Sequence, residues 1–158
     1  MTLKSNIDDV TAKFKKIFST LGNKEQALLV AGEILIENTR GRLARGIDVN
    51  GQPFQPLTAL TIANKNRNAD KVLIEHGDLY RELHYQLVNG GRSLEFGSDR
   101  KYAAIHQFGG LIKPKNKKAL RFKGTFAKQV KIPKREFLGV TPHDANDVLQ
   151  ALADLIEK

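Results

Sequence analysis

The chain has 158 residues, 41% of them apolar, enough for one ordinary domain built around one hydrophobic core. It contains no cysteine, which excludes a disulfide framework, a thiolate nucleophile and a cysteine-ligated zinc. No run of about 18 apolar residues occurs, and MTLKSNIDDV lacks the apolar stretch of a secretory signal; the expectation is a single soluble domain over 1–158, with no membrane partner, that stays where it is made.

Ser5 stands as an N-cap with Asp8 three residues on, and Val10, Phe14, Ile17, Phe18 and Leu21 follow at helical spacing up to Gly22. A second and longer helix is expected from Lys24 to Arg45. Leu28, Ala31, Ile34 and Leu35 keep its period, Arg40, Arg42 and Arg45 suit its negative end, and Gly46 closes it. The stretch IDVNGQPFQPL, 47–57, reads as an ordered turn, with Asn50-Gly51 supplying positive φ angles and two prolines forbidding regular structure. Thr58 caps a short helix to Asn64, the polar NKNRNAD of 64–70 is expected to be an exposed, mobile loop, and Gly77-Asp78 opens another short helix to about Leu83.

The period then changes from 3.6 to two. His84–Val88, the turn Asn89-Gly90-Gly91 and Ser93–Gly97 read as a β-hairpin. Tyr102–Phe108 makes one or two helical turns ending at Gly109-Gly110, and 119–122 and 129–132 are candidate strands on either side of Lys123-Gly124-Thr125. A last helix is capped by Thr141, carries Pro142 at its first position and Asp144 in its first turn, and presents Val148, Leu149, Leu152, Leu155 and Ile156 as one apolar stripe. The fold class is therefore α+β, with two N-terminal helices and one C-terminal helix packed on a small antiparallel sheet and a long basic loop over 111–131.

Charge is distributed unevenly. The net charge is +9, yet residues 100–135 alone hold twelve Lys or Arg and no Asp or Glu, so the rest of the chain is net acidic. Phe122 and Phe126 interleave with Arg121, Lys123 and Lys128, as on surfaces that combine stacking with phosphate contacts. No RNP, KH, helix-turn-helix or zinc-finger signature accompanies them. Sequence-independent contact with DNA, or a basic face meeting an acidic protein surface, is the reading for Lys113, Lys115, Lys117, Lys118, Arg121, Lys123, Lys128 and Lys131.

Catalytic constellations are not evident. His76, His84, His106 and His143 are scattered, without HExxH or His-x-His spacing, so no metal site and no cofactor are expected. Asp8-Asp9 and the pair Asp144 and Asp147 sit at helix starts, where the dipole explains carboxylates without chemistry. Ser93 and Ser98 lack a GxSxG context, and neither glycine pair belongs to a phosphate-binding motif. A hydrolase using His106 would have no further support, and the chain is read as not an enzyme.

Four blocks in order carry a resemblance: DVNGQPFQPLTAL at 48–60, LIEHGDLYREL at 73–83, YAAIHQFGG at 102–110 and IPKREFLGV at 132–140. The chain resembles the phage virion morphogenesis family, the tail-completion proteins of Mu-like and P2-like phages and prophages, from about Ala27 to Lys158. Two departures stand out. His76 occupies a position where a small hydroxyl residue is usual before the glycine, altering a local cap, and Glu136 stands where proline often precedes Phe-Leu-Gly, loosening the strand there.

The resemblance implies a structural subunit of the neck or tail terminus at the head–tail junction. It also implies assembly into a ring of copies of itself, between neighbouring neck and tail proteins, first in the host bacterial cytoplasm and then in the virion. Tyr102, His106, Phe108, Gly109, Gly110, Phe137 and Leu138 are the motif residues expected at an interface or in the supporting structure. Tyr102 and Ile105 read first as core residues and Phe137 and Leu138 as core anchors, while His106 either caps a backbone group or faces a neighbour. The basic segment Lys113–Lys131 is expected to be mobile in the free subunit and to order, or face DNA, on assembly.

Overall fold

The computed structural model describes residues 3–122 and 125–157, and for 3–11, 122 and 125 the backbone alone. The Ser5 and Asp8 side chains expected to cap the first helix, and Lys123-Gly124 of the basic loop, therefore lie outside the described parts. In chain order the elements are α1 Leu3–Thr20, α2 Lys24–Arg45, α3 Ala59–Asn64, α4 Asp78–Arg81, β1 His84–Val88, β2 Ser93–Gly97, α5 Ala103–Phe108, β3 Gly110–Ile112, β4 Leu120–Phe122, β5 Thr125–Ala127, β6 Val130–Ile132 and α6 Pro142–Ile156. Among the described residues the strands pair in twos, all antiparallel: β1 with β2, β3 with β6 and β4 with β5. The class is α+β, as the sequence pattern indicates.

The chain groups into two compact units. The first comprises the segments up to Gly41, Leu83–Gly97 and those from Gly139. Its core is a cluster of Ala27, Ala31, Val148 and Leu152, against which Phe14, Ile17, Phe18 and Leu21 of α1, Val30 and Ile34 of α2, Leu94 of β2 and Leu155 of α6 pack. The alanines stand one turn apart on α2 and leave room for the larger side chains of α1 and α6. Full burial of a side chain such as Leu152 contributes about 1.5–3 kcal/mol.

Capping fixes where these helices begin. The Asn23 side chain accepts from the Gln26 N–H at 3.1 Å at the head of α2. At α6 a full capping box forms: Asp144 N–H donates to Thr141 Oγ1 at 3.1 Å and Thr141 N–H to Asp144 Oδ2 at 2.8 Å, with Pro142 in the first turn. The hairpin turn holds Asn89, Gly90 and Gly91 at φ of 54°, 66° and 78°, the left-handed conformations that Asn and Gly tolerate. Tyr85 of β1 lies across Gly32 of α2, and its hydroxyl donates to Glu33 Oε1 at 2.8 Å, a bond that raises the phenol above its usual range.

The second unit comprises Arg42–Glu82 and Ser98–Leu138. It starts with the close of α2, a Schellman motif: Ile47 N–H donates to Arg42 O and Gly46 N–H to Leu43 O, both at 3.1 Å, with Gly46 at φ 71°. In the following turn the Asp48 carboxylate accepts from the N–H groups of Asn50 and Gln52 at 2.8 and 2.9 Å. This local cap corrects one expectation, since only Gly51, at φ 75°, takes a positive angle and Asn50 does not. Thr58 caps α3 as expected, accepting from Thr61 N–H at 3.2 Å.

The polar loop after α3 is wound around one cation. Lys65 Nζ donates to the carbonyls of Asn68 at 2.6 Å and Ile74 at 3.0 Å, and burial lowers its pKa while Glu75 and Asp70 oppose the shift. Gly77, at φ 79°, then forms the N-cap of α4 with no side-chain cap bond. His76 thus leaves capping to its neighbour's backbone, and its carbonyl receives Arg81 Nη1 at 2.7 Å.

Candidate assembly surface

The extended segment 133–138 is where three of the four sequence blocks meet. Gln107, buried on α5, spans it with its amide: Oε1 accepts from the N–H groups of Phe137 at 3.1 Å and Leu138 at 3.0 Å, and Nε2 donates to Leu138 O at 2.8 Å. One side chain thereby supplies the pairing that a neighbouring strand would otherwise give. Arg135 N–H donates to His106 O at 2.7 Å, and Val49 N–H from the Asn50-Gly51 turn donates to Glu136 O at 3.1 Å. Glu136 thus has a backbone partner, and its side chain pairs with Lys134 at 2.8 Å.

Arg135 is the second polar anchor. Its side chain is 5% exposed and donates through Nε to Gln55 O at 2.9 Å and through Nη2 to Pro56 O at 3.3 Å. Burial lowers its pKa. The guanidinium fastens the proline-containing turn to the 133–138 segment using backbone carbonyls, which are available at fixed positions whatever side chains surround them.

Gly109 is required by close approach. At φ 71° a Cβ there would stand 2.8 Å from Lys134 N and 3.1 Å from its Cα. Gly110 follows as the first residue of β3, paired with Ile132. Gly109 therefore lets the end of α5 lie hard against the Lys134 backbone, while a Cβ on Gly110 would meet Ile105 Cδ1 at 2.7 Å.

Of the other motif residues, Phe137 is fully buried and Leu138 half-buried. Tyr102 departs from its first reading: it is 39% exposed, because it precedes α5 as its N-cap and turns its ring edge to His106, at 6.0 Å between ring centres. Ile105 is half-buried. His106 Nδ1 is buried and has no hydrogen-bond partner among the described residues, and burial, followed by the charge of Arg135, pushes the imidazole pKa down. Phe108 is 74% exposed and Leu111 46% exposed, so large apolar side chains stand in solvent on both sides of Gly109-Gly110.

Beyond this corner the basic loop is paired over part of its length. β3 lies against β6 in the register Leu111↔Lys131, and β4 against β5 in the register Arg121↔Phe126. The sequence pattern placed strands close to β4 and β6 and missed β3 and β5. Lys113, Lys115, Lys117, Lys118, Arg121, Lys128 and Lys131 are all exposed, and among the described residues none is paired with a carboxylate. The Arg121 guanidinium lies 6.0 Å from the centre of the Phe126 ring, which is 67% exposed.

Gln107 and Arg135 escaped sequence reasoning. Gln107 sits inside YAAIHQFGG, and the only available signal was its place on the same short helix as apolar Ala103. An open cleft of about 270 Å³ at Arg135 is lined by Asp48, Pro53, Phe54, Gln55, Lys134, Arg135 and Glu136, with no histidine, serine or threonine in its wall. Among the described residues no group of three or more His, Asp or Glu could hold a metal ion, and no helix is long and apolar enough to cross a membrane.

No curated protein and no solved structure matches the chain. The phage virion morphogenesis family matches it over residues 5–157, which reaches further toward the N-terminus than the four blocks and takes in α1. With that match spanning both compact units, and with three blocks of the resemblance tied together around 133–138, the chain belongs to the phage virion morphogenesis family.

Proposed function

We propose that this chain is a structural neck or tail-completion subunit that acts late in particle assembly at the phage head–tail junction and closes into a ring with copies of itself. Family membership over residues 5–157 carries the reading. The fold supports it in two ways: polar anchors such as Gln107 and Arg135 are spent on internal backbone pairing, and exposed Phe108 and Leu111 present apolar surface suited to a neighbouring subunit or to a neck or tail protein. The subunit would gather in the host bacterial cytoplasm and end in the virion.

Deletion of the gene tests the proposal. Electron microscopy of the lysate should show separate heads and tails, and supplying the chain in trans should restore joined particles. Sedimentation of the chain mixed with neck and tail proteins should give a closed oligomer. Joined, infective particles made without the gene, together with a chain that stays monomeric in those mixtures, would refute it.

A further inference from the structure

We infer that the paired segments 110–122 and 125–132 form a basic arm that binds duplex DNA through its phosphates, without regard to sequence. The topology carries the first step. β3 pairs with β6 and β4 with β5, so the second ladder is nested in sequence within the first, and the chain runs out and back as two short antiparallel ladders separated by residues 113–119 and 128–129. A two-stranded ribbon is one of the shapes that the major groove of B-form DNA admits.

Charge carries the second step. The arm's described cations are exposed and none is paired with a carboxylate, and no Asp or Glu lies between residues 100 and 135 to neutralise them. Facing opposite residues share one side of a ladder, so each ladder sets a cation beside an exposed apolar side chain: Lys131 with Leu111, and Arg121 with Phe126. A polyanion whose charges are separated by apolar sugar and base surface complements that alternation.

A second copy of this chain complements it less well. Outside 100–135 the acidic excess is only three charges, and many carboxylates there are already engaged. Asp144 is closed in its capping box, Asp147 holds Asn38 and His143, Glu33 holds Tyr85, and Glu82 holds Arg100. Like-charged arms brought together in a symmetric assembly would repel unless an anion lay between them. The inference rests on the arm alone and not on where in the particle the subunit sits.

Fluorescence anisotropy of the full chain on a labelled duplex of arbitrary sequence, titrated at several salt concentrations, tests it. Log affinity should fall linearly with log salt at about 0.9 per phosphate engaged; with four contacts, affinity drops about 150-fold between about 50 and about 200 mM. Replacing Lys113, Lys115, Lys117 and Lys118 together by Ala should flatten that slope by up to about 3.6. Replacing Lys15 and Lys16 of α1, which are equally exposed, should leave it unchanged. Circular dichroism confirms that both variants fold. No binding at the lowest salt, or equal losses in the two variants, overturns the inference. Binding of poly-glutamate in place of DNA also overturns it and assigns the arm to an acidic protein face. None of these outcomes alters the gene-deletion test above.

Discussion

Replacing Gln107 by Met removes the amide but keeps the length and unbranched shape of the side chain. Three hydrogen bonds, of 2.8, 3.0 and 3.1 Å, are lost. The N–H of fully buried Phe137 and that of half-buried Leu138 are left without their acceptor. A net hydrogen bond contributes about 1 kcal/mol, and a buried group left unsatisfied costs about 1–3 kcal/mol. Part of the Leu138 loss is recovered from water, so the expected destabilisation is about 3 kcal/mol, a large share of the roughly 5–15 kcal/mol that holds a domain folded. For a chain of this size that lowers the melting temperature by about 6–12 °C. Urea unfolding followed by far-UV circular dichroism reads it directly, which suits a chain without tryptophan. A midpoint and slope unchanged from wild type would show that the amide clamp contributes nothing and refute the reasoning.

Gly32→Ala should destabilise by about 1 kcal/mol: a Cβ would stand 2.5–2.8 Å from the Tyr85 ring, an overpacking cost of about 1–3 kcal/mol that outweighs the roughly 1 kcal/mol by which Ala favours helix. In a Tyr85→Ala background the same change should stabilise, and failure of the sign to reverse would sink the clash argument. The half-buried His106 has its pKa lowered, so the unfolded chain takes up a proton that the folded one resists; its contribution to stability should be fully present above about pH 6.5 and decline as pH falls below it. Urea melts at several pH values should show a weaker acid decline in His106→Gln, and identical profiles would remove the imidazole as a cause.

The elements legible in the sequence are those whose signals are local. Gly46 closes α2, Thr141 with Asp144 starts α6, and Asn89-Gly90 turns the hairpin, each through bonds made within a few residues. The four strands β3 to β6 have three residues each, too few for a period of two to fix them, so the sequence pattern reached β4 and β6 only approximately and β3 and β5 not at all. The anchoring role of Gln107 and Arg135 was hidden for a related reason. A polar side chain reveals its burial only through distant partners, here Phe137, Leu138, Gln55 and Pro56. Tyr102 misled in the opposite direction, an aromatic residue at helical spacing whose place as N-cap leaves much of its ring in water.

Each strand of the arm has a single partner among the described residues, so each leaves one backbone edge open. Open edges invite strand-to-strand pairing between chains, the route to aggregation, unless charge blocks it. Lys113 follows β3 directly, Lys128 follows β5, and Lys131 lies within β6, so two copies meeting edge to edge would bring like charges into register. Like charges placed there oppose edge-to-edge pairing of two free chains. Salt should then act in opposite senses on the two associations, weakening the proposed grip on a polyanion while lowering the barrier between chains.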